Sequence, residues 1–138
     1  MLSRFFKIIL ISPLLIICLL GGCGNNQFDK EYNKFKESYL KVTEVLDIKE
    51  PLSSIENLNK DHISKEIDEI KNIVLKLNSE ASSKIEKRIC NNVSMYLEGL
   101  EFLQYAAKNK DKLSEDERGR IVTELTLMQM YRNDIKSG

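Results

Sequence analysis

The chain is poor in residues that break helices and in residues that hold metals. Beyond residue 24, glycine occurs only at 99, 119 and 138, and proline only at 51. Such scarcity of breakers argues for long helices and against a many-turned β fold. The only histidine is His62. The Glu-x-x-His pairs that a di-iron bundle needs on two helices are therefore missing, as is any zinc-type His/Cys cluster. The serines around His62 (Ser53, Ser54, Ser64) lack a Gly-x-Ser-x-Gly elbow, and no glycine-rich phosphate cradle or Cys-x-x-Cys-His haem site occurs. No cofactor, metal or catalytic residue is expected, so the chain does not read as an enzyme. His62 reads as an exposed residue near a helix start.

Acidic residues are absent before Asp29, and the one long apolar run lies in that stretch. Arg4 and Lys7 form a basic start, "MLSRFFK", followed by "IILISPLLIICLL" over residues 8–20. That run is shorter than the ~20 apolar residues that cross a bilayer as a helix, and its flanks are those of a cleaved signal segment. It ends in Leu20-Gly21-Gly22-Cys23. This string resembles the lipobox of bacterial lipoproteins: an aliphatic residue, two small residues, then cysteine. The resemblance implies that a diacylglyceryl group alkylates the Cys23 thiol. It also implies that a dedicated peptidase cuts after the flank Leu20, Gly21, Gly22, so that Cys23 opens the mature protein. The expected location is a membrane, lipid-anchored (palmitate-type acyl chains) and facing out of the cytoplasm. That is the outer face of the cytoplasmic membrane in a Gram-positive cell and the periplasm in a Gram-negative one.

Removing residues 1–22 from 138 leaves 116, one small domain. Arg4 and Lys7 leave with the signal, so 19 Lys and Arg face 21 Asp and Glu. This balance makes no case for nucleic acid. It also shows no polybasic handle on anionic lipid, which leaves the acyl chains to hold the membrane. Cys18 leaves, Cys23 is consumed by lipid, and Cys90 stands alone, so no disulfide can form within the mature chain. Cys90 reads as a small core residue, with a reactive thiol or an intermolecular bridge as alternatives.

The fold class read from the pattern is all-α, a small up-and-down bundle of three to four helices over 28–138, behind a lipidated tether at 23–27. Phe28, Tyr32, Phe35, Tyr39, Val42 and Leu46 step by four and three along one helix face. Pro51 must end that helix at or before Glu50. The stretch 52–62 is irregular, with a Ser53/Glu56 capping box for a short helical turn. A second face runs Ile63, Ile67, Ile70, Val74, Leu77. Ser83 and Glu86 cap a helix carrying Ile85, Ile89, Val93, Tyr96, Leu100, Leu103 and Ala107. Ser114 and Glu117 cap another, with Ile121, Leu125, Met128 and Ile135. Leu40, Ile73, Leu97 and Leu127 fall off these stripes and mark either a dimer face or extra packing. Gly99, inside a helix, permits a close helix approach or a bend.

Tyr32, Tyr39 and Tyr96 lie on the core stripes, with Tyr105 and Tyr131 near their edges. Core packing is the first reading for the on-stripe three, and an aromatic-lined pocket the second. Leu125-Thr126-Leu127-Met128-Gln129 is similar to the Leu-Thr-x-x-Gln motif of periplasmic helical stress proteins and chaperones. That family carries two copies near helix ends; here "LSEDE" at 113–117 departs at two of three positions, and no function is transferred. The expected function is a membrane-anchored envelope lipoprotein serving as a non-catalytic helical interaction module for a membrane-proximal partner. The alternatives are a small-ligand or lipid sensor with a cavity lined by tyrosines and Met128 or Met130, and a surface-exclusion-type lipoprotein. A released signal fragment acting as a peptide message is a further one.

Overall fold

The computed structural model describes residues 26–138, which are all-helical, with no strand among them. Five α-helices follow in order: α1 (Asn26–Thr43), α2 (Pro51–Ile55), α3 (Asp61–Glu80), α4 (Lys84–Lys108) and α5 (Glu115–Ser137). Short 3₁₀ turns at Glu56–Asn59 and Lys110–Lys112 lead into α3 and α5. The expected three to four helices are thus corrected to five, because the stretch expected to be irregular contains α2. Proline's fixed φ and missing N–H suit the first turn of a helix as well as they forbid its interior, and Pro51 opens α2. Glu50, not Ser53, stands at its N-cap position.

α1 ends at Thr43, well before Glu50. A helix end leaves carbonyls without partners, and side chains from elsewhere take them here. Arg132 Nη1 donates to the Thr43 carbonyl at 3.1 Å. Asn57 Nδ2 donates to the Val45 carbonyl at 3.1 Å, and Ser54 Oγ to that of Asp47 at 3.1 Å. Leu46 consequently sits in a turn, partly buried against the core.

The four long helices close a ring in which α1 packs on α3, α3 on α4, α4 on α5, and α5 back on α1. Lys41, late in α1, pairs with Glu66, early in α3. Arg120, early in α5, lies 4.0 Å over the ring of Phe102, late in α4. These cross-links and the short α3–α4 connection make neighbours antiparallel, an up-down-up-down arrangement. One end of the bundle gathers the start of α1, the end of α3, the start of α4 and the end of α5. The other end is closed by α2 and the first 3₁₀ turn, whose Ile55 and Leu58 are fully buried.

Two of the three expected capping boxes are present, Ser83 with Glu86 and Ser114 with Glu117, whereas Ser53 lies inside α2 and forms none with Glu56. The stripes of α1 and α3 are buried from Phe28 to Val42 and from Ile63 to Leu77. In α4 the face is rotated from the expected one. Cys90, Val93, Leu100, Leu103 and Ala106 are buried, Ile89, Tyr96 and Ala107 partly so, and Ile85 is 40% exposed. In α5, Ile121, Leu125 and Met128 are buried and Ile135 partly so. Of the off-stripe residues, Ile73 is buried and Leu97 packs on the core, whereas Leu127 is exposed.

Candidate functional site

Cys23 and its flank Leu20, Gly21 and Gly22 lie outside the described residues. His62 stands exposed in the first turn of α3, and Ser54 spends its hydroxyl on the α1–α2 link. Among the described residues no group of three His, Cys, Asp or Glu is disposed to hold a metal ion, and no helix is long and apolar enough to cross a membrane. Cys90 is buried; burial and then the neighbouring Glu86 charge push its thiol up, away from thiolate chemistry.

The tyrosines converge. Tyr32 and Tyr39 arrive from α1, Tyr96 from α4 and Tyr131 from α5. The Tyr96 and Tyr131 rings stack 4.0 Å apart, and Tyr39 meets both edge-on at 5.7 and 5.2 Å. The Tyr32 and Tyr131 hydroxyls share a hydrogen bond of 3.2 Å. The Tyr39 hydroxyl is fully buried with no hydrogen-bond partner. Burial holds the Tyr32, Tyr39 and Tyr131 phenols above their ordinary range, so none exchanges a proton near neutrality. These rings fill the space between α1, α4 and α5 with one another. Tyr131 belongs at the centre of this packing, not near an edge. Its spacing from Met128 and to Ile135 is the signal in the sequence that points there.

The cavity next to this cluster measures about 60 Å³, between Thr43 and Leu46 on one side and Met128 and Arg132 on the other. That is room for one or two waters. At the end closed by α2, an open groove of about 520 Å³ runs past Leu52, Ser53 and Arg118. Three of its charges are already engaged, Lys110 with Glu56 and Arg118 with the Lys110 carbonyl at 3.1 Å, and Asp111 lines it beside them.

The other distinctive surface is the outer face of α5. Gly119, Val122, Thr123, Thr126 and Met130 lie together on the side away from the core and all are exposed. Thr126 Oγ1 donates back to the Val122 carbonyl at 2.8 Å and Thr123 Oγ1 to that of Gly119 at 3.4 Å. With their hydroxyls turned to the backbone, both threonines offer methyl groups outward. The result is an uncharged strip about three turns long on a chain in which 30% of residues are charged. Leu127 borders it, 39% exposed. The Leu125–Gln129 string spans both sides of the helix: Leu125 and Met128 face the core, and the other three are exposed.

In comparisons with protein-family models, with curated proteins and with solved structures, nothing matches this chain.

Proposed function

We propose that the protein is an envelope lipoprotein, anchored through Cys23 on a membrane face outside the cytoplasm, whose helical domain binds a membrane-proximal protein partner without catalysing a reaction. The observation that carries the reading is the uncharged outer strip of α5. Val122, Thr123, Thr126 and Met130 expose uncharged surface that the bundle does not use and that a partner can pack against, since the centre of a protein interface is depleted of charge. Gly119, where an added Cβ meets no atom within 4 Å, leaves the backbone open to close approach. The anchoring half of the reading is supported by the basic start, the apolar run and the Leu-Gly-Gly-Cys string.

Ligand sensing through a tyrosine-lined pocket is the less favoured reading, since Tyr96 and Tyr131 stack on each other where a ligand ring would lie. A panel of metabolites and lipids separates the two: a sensor gains thermal stability from one of them, and an interaction module from none.

A photo-reactive amino acid placed at Thr126 in the expressing bacterium tests the proposal. The expected result is one discrete cross-linked protein, absent when the same group replaces Glu69 on the exposed side of α3. Equal, diffuse labelling from both positions would contradict it.

A further inference from the structure

The composition of the mature chain conceals a separation of charge along the bundle. Seven bases, Lys30, Lys34, Lys76, Lys84, Lys87, Arg88 and Lys136, stand exposed at the end where α1 and α4 begin and α3 and α5 finish. Five acids share that end, Asp29, Glu31, Glu80, Glu86 and Asp134. Two of them are turned inward: Glu31 is 2% exposed and pairs with Lys34 at 2.8 Å, and Glu86 is 9% exposed, its carboxylate held by the Ser82 and Ser83 amides. The remainder of the mature chain therefore carries the acidic excess, twelve bases against sixteen acids once these twelve are taken from the 19 and 21. Ile85, expected in the core, is instead 40% exposed among Lys84, Lys87 and Arg88.

We propose that this end is a docking surface for anionic phospholipid headgroups, with Ile85 reaching into the headgroup layer and the α2 end turned away from the membrane. The proposal rests on the reading of Cys23 as the lipid anchor, and chain length then selects lipid as the occupant. The three steps from Cys23 to Asn26, where α1 begins, span at most about 11 Å, close to the ~10 Å screening length at 0.1 M salt. Of the two ends of the bundle, the basic one is therefore the one that the tether keeps beside the headgroups. Lysines and arginines near an anionic leaflet are attracted to it within that length, and their stems let the charged heads reach outward while Ile85 stays against the acyl boundary. The attachment thus has two signals, an acyl anchor and a basic, apolar-tipped surface, where the overall balance of charge pointed to one. The two chains of a diacylglyceryl group already make attachment stable; the basic surface adds the orientation of the bundle.

The test uses the full protein purified from membranes and reconstituted into vesicles of phosphatidylcholine alone or mixed with phosphatidylglycerol. An environment-sensitive dye is attached at Ile85→Cys or, at the opposite end, at Asn109→Cys; the buried Cys90 does not compete. The expected result is a blue shift of the residue-85 dye only in the phosphatidylglycerol vesicles. It is reversed near ~1 M salt, where screening shortens to about 3 Å, and lost in a Lys84→Glu, Lys87→Glu, Arg88→Glu variant. Acids suit the first turn of α4, so that variant keeps its fold, as circular dichroism checks. A residue-85 dye indifferent to vesicle charge, an equal shift at residue 109, or persistence of the shift in the triple variant would overturn the proposal. Failure of the anchor reading shows separately, as a chain without acyl mass that does not stay with phosphatidylcholine vesicles, while the charge response is still read in the other set.

Discussion

The ring of Tyr96 lies 4.0 Å from that of Tyr131 and within 4° of parallel, which joins α4 to α5 in the layer where Tyr39 reaches in from α1. Aromatic pairs of this kind contribute about 0.5–1.5 kcal/mol beyond their buried area. Tyr131 also carries the hydrogen bond to Tyr32, so it ties three helices together. Tyr131→Ala is expected to destabilise the domain by about 3–5 kcal/mol, measured by urea unfolding. A loss under ~1 kcal/mol would show that the ring is not a core element.

The two buried phenols of α1 should respond oppositely to removal of their hydroxyls. Tyr32→Phe breaks the bond to Tyr131 and is expected to cost about 0.5–1.5 kcal/mol. Tyr39→Phe removes a buried hydroxyl that has no partner, and an unsatisfied buried polar group costs about 1–3 kcal/mol. Tyr39→Phe is therefore expected to raise the unfolding midpoint. Equal losses in the two variants would mean that the Tyr39 hydroxyl is satisfied in solution.

Gly99 and Gly119 both interrupt helices, and their surroundings separate them. A Cβ at 119 meets nothing within 4 Å, so Gly119→Ala should stabilise by about 0.5–1 kcal/mol through helix propensity alone. A Cβ at 99 would lie 2.6 Å from Glu124 Oε2 and 3.0 Å from Met128 Cε. Gly99→Ala must push Glu124 away from its bond to Arg120, which offsets the propensity gain. Gly99→Leu should cost about 1–3 kcal/mol by overpacking against Met128. Thermal melts of the three variants check the order 119→Ala above wild type above 99→Leu.

The capping box of α4 gives the domain a pH dependence. Burial pushes the Glu86 carboxyl up, but the amides and hydroxyls of Ser83 and Ser82 pull it further down, leaving it below its ordinary 4.5. A carboxylate depressed in the folded state stabilises fully above its unfolded value, and that contribution is lost as pH falls through the folded one. Lowering pH from about 6 to about 3 should therefore reduce stability more in the wild type than in Glu86→Gln. Ser83→Ala should cost about 1 kcal/mol at neutral pH. Parallel pH profiles for wild type and Glu86→Gln would remove Glu86 from the account.

The helices that carry a regular stripe are legible in the amino-acid sequence alone. Phe28 to Val42 and Ile63 to Leu77 repeat at four and three, and each burial follows. Ser83/Glu86 and Ser114/Glu117 mark two helix starts because a capping box is a local device whose partners are three residues apart. Contacts across the chain set the features that the pattern does not show. At the end of α1 the Thr43 carbonyl accepts from the Leu46 amide in a local turn and from Arg132, 89 residues away, and no local pattern encodes the second. Ile55 and Leu58 plug the bundle end from a stretch that reads as irregular, although Leu52, Ile55 and Leu58 do repeat at three. Ile85 extends the periodic face of α4 by spacing, but the helix turns Cys90 and Ala106 inward and leaves Ile85 outside. The strip on α5 is hidden by its threonines, which count as polar until their hydroxyls are seen bonded to the backbone. The basic end is hidden by the near-neutral total, since charge placement depends on which helix ends meet.

The most direct test of the account is the intact mass of the protein extracted from membranes of the bacterium expressing it, beside a Cys23→Ser variant. A lipoprotein anchored through Cys23 gives a chain that begins at that residue and carries acyl mass, and a variant that is neither acylated nor cut after Gly22. A wild-type chain that retains residues 1–22 and carries no acyl group would contradict that anchoring.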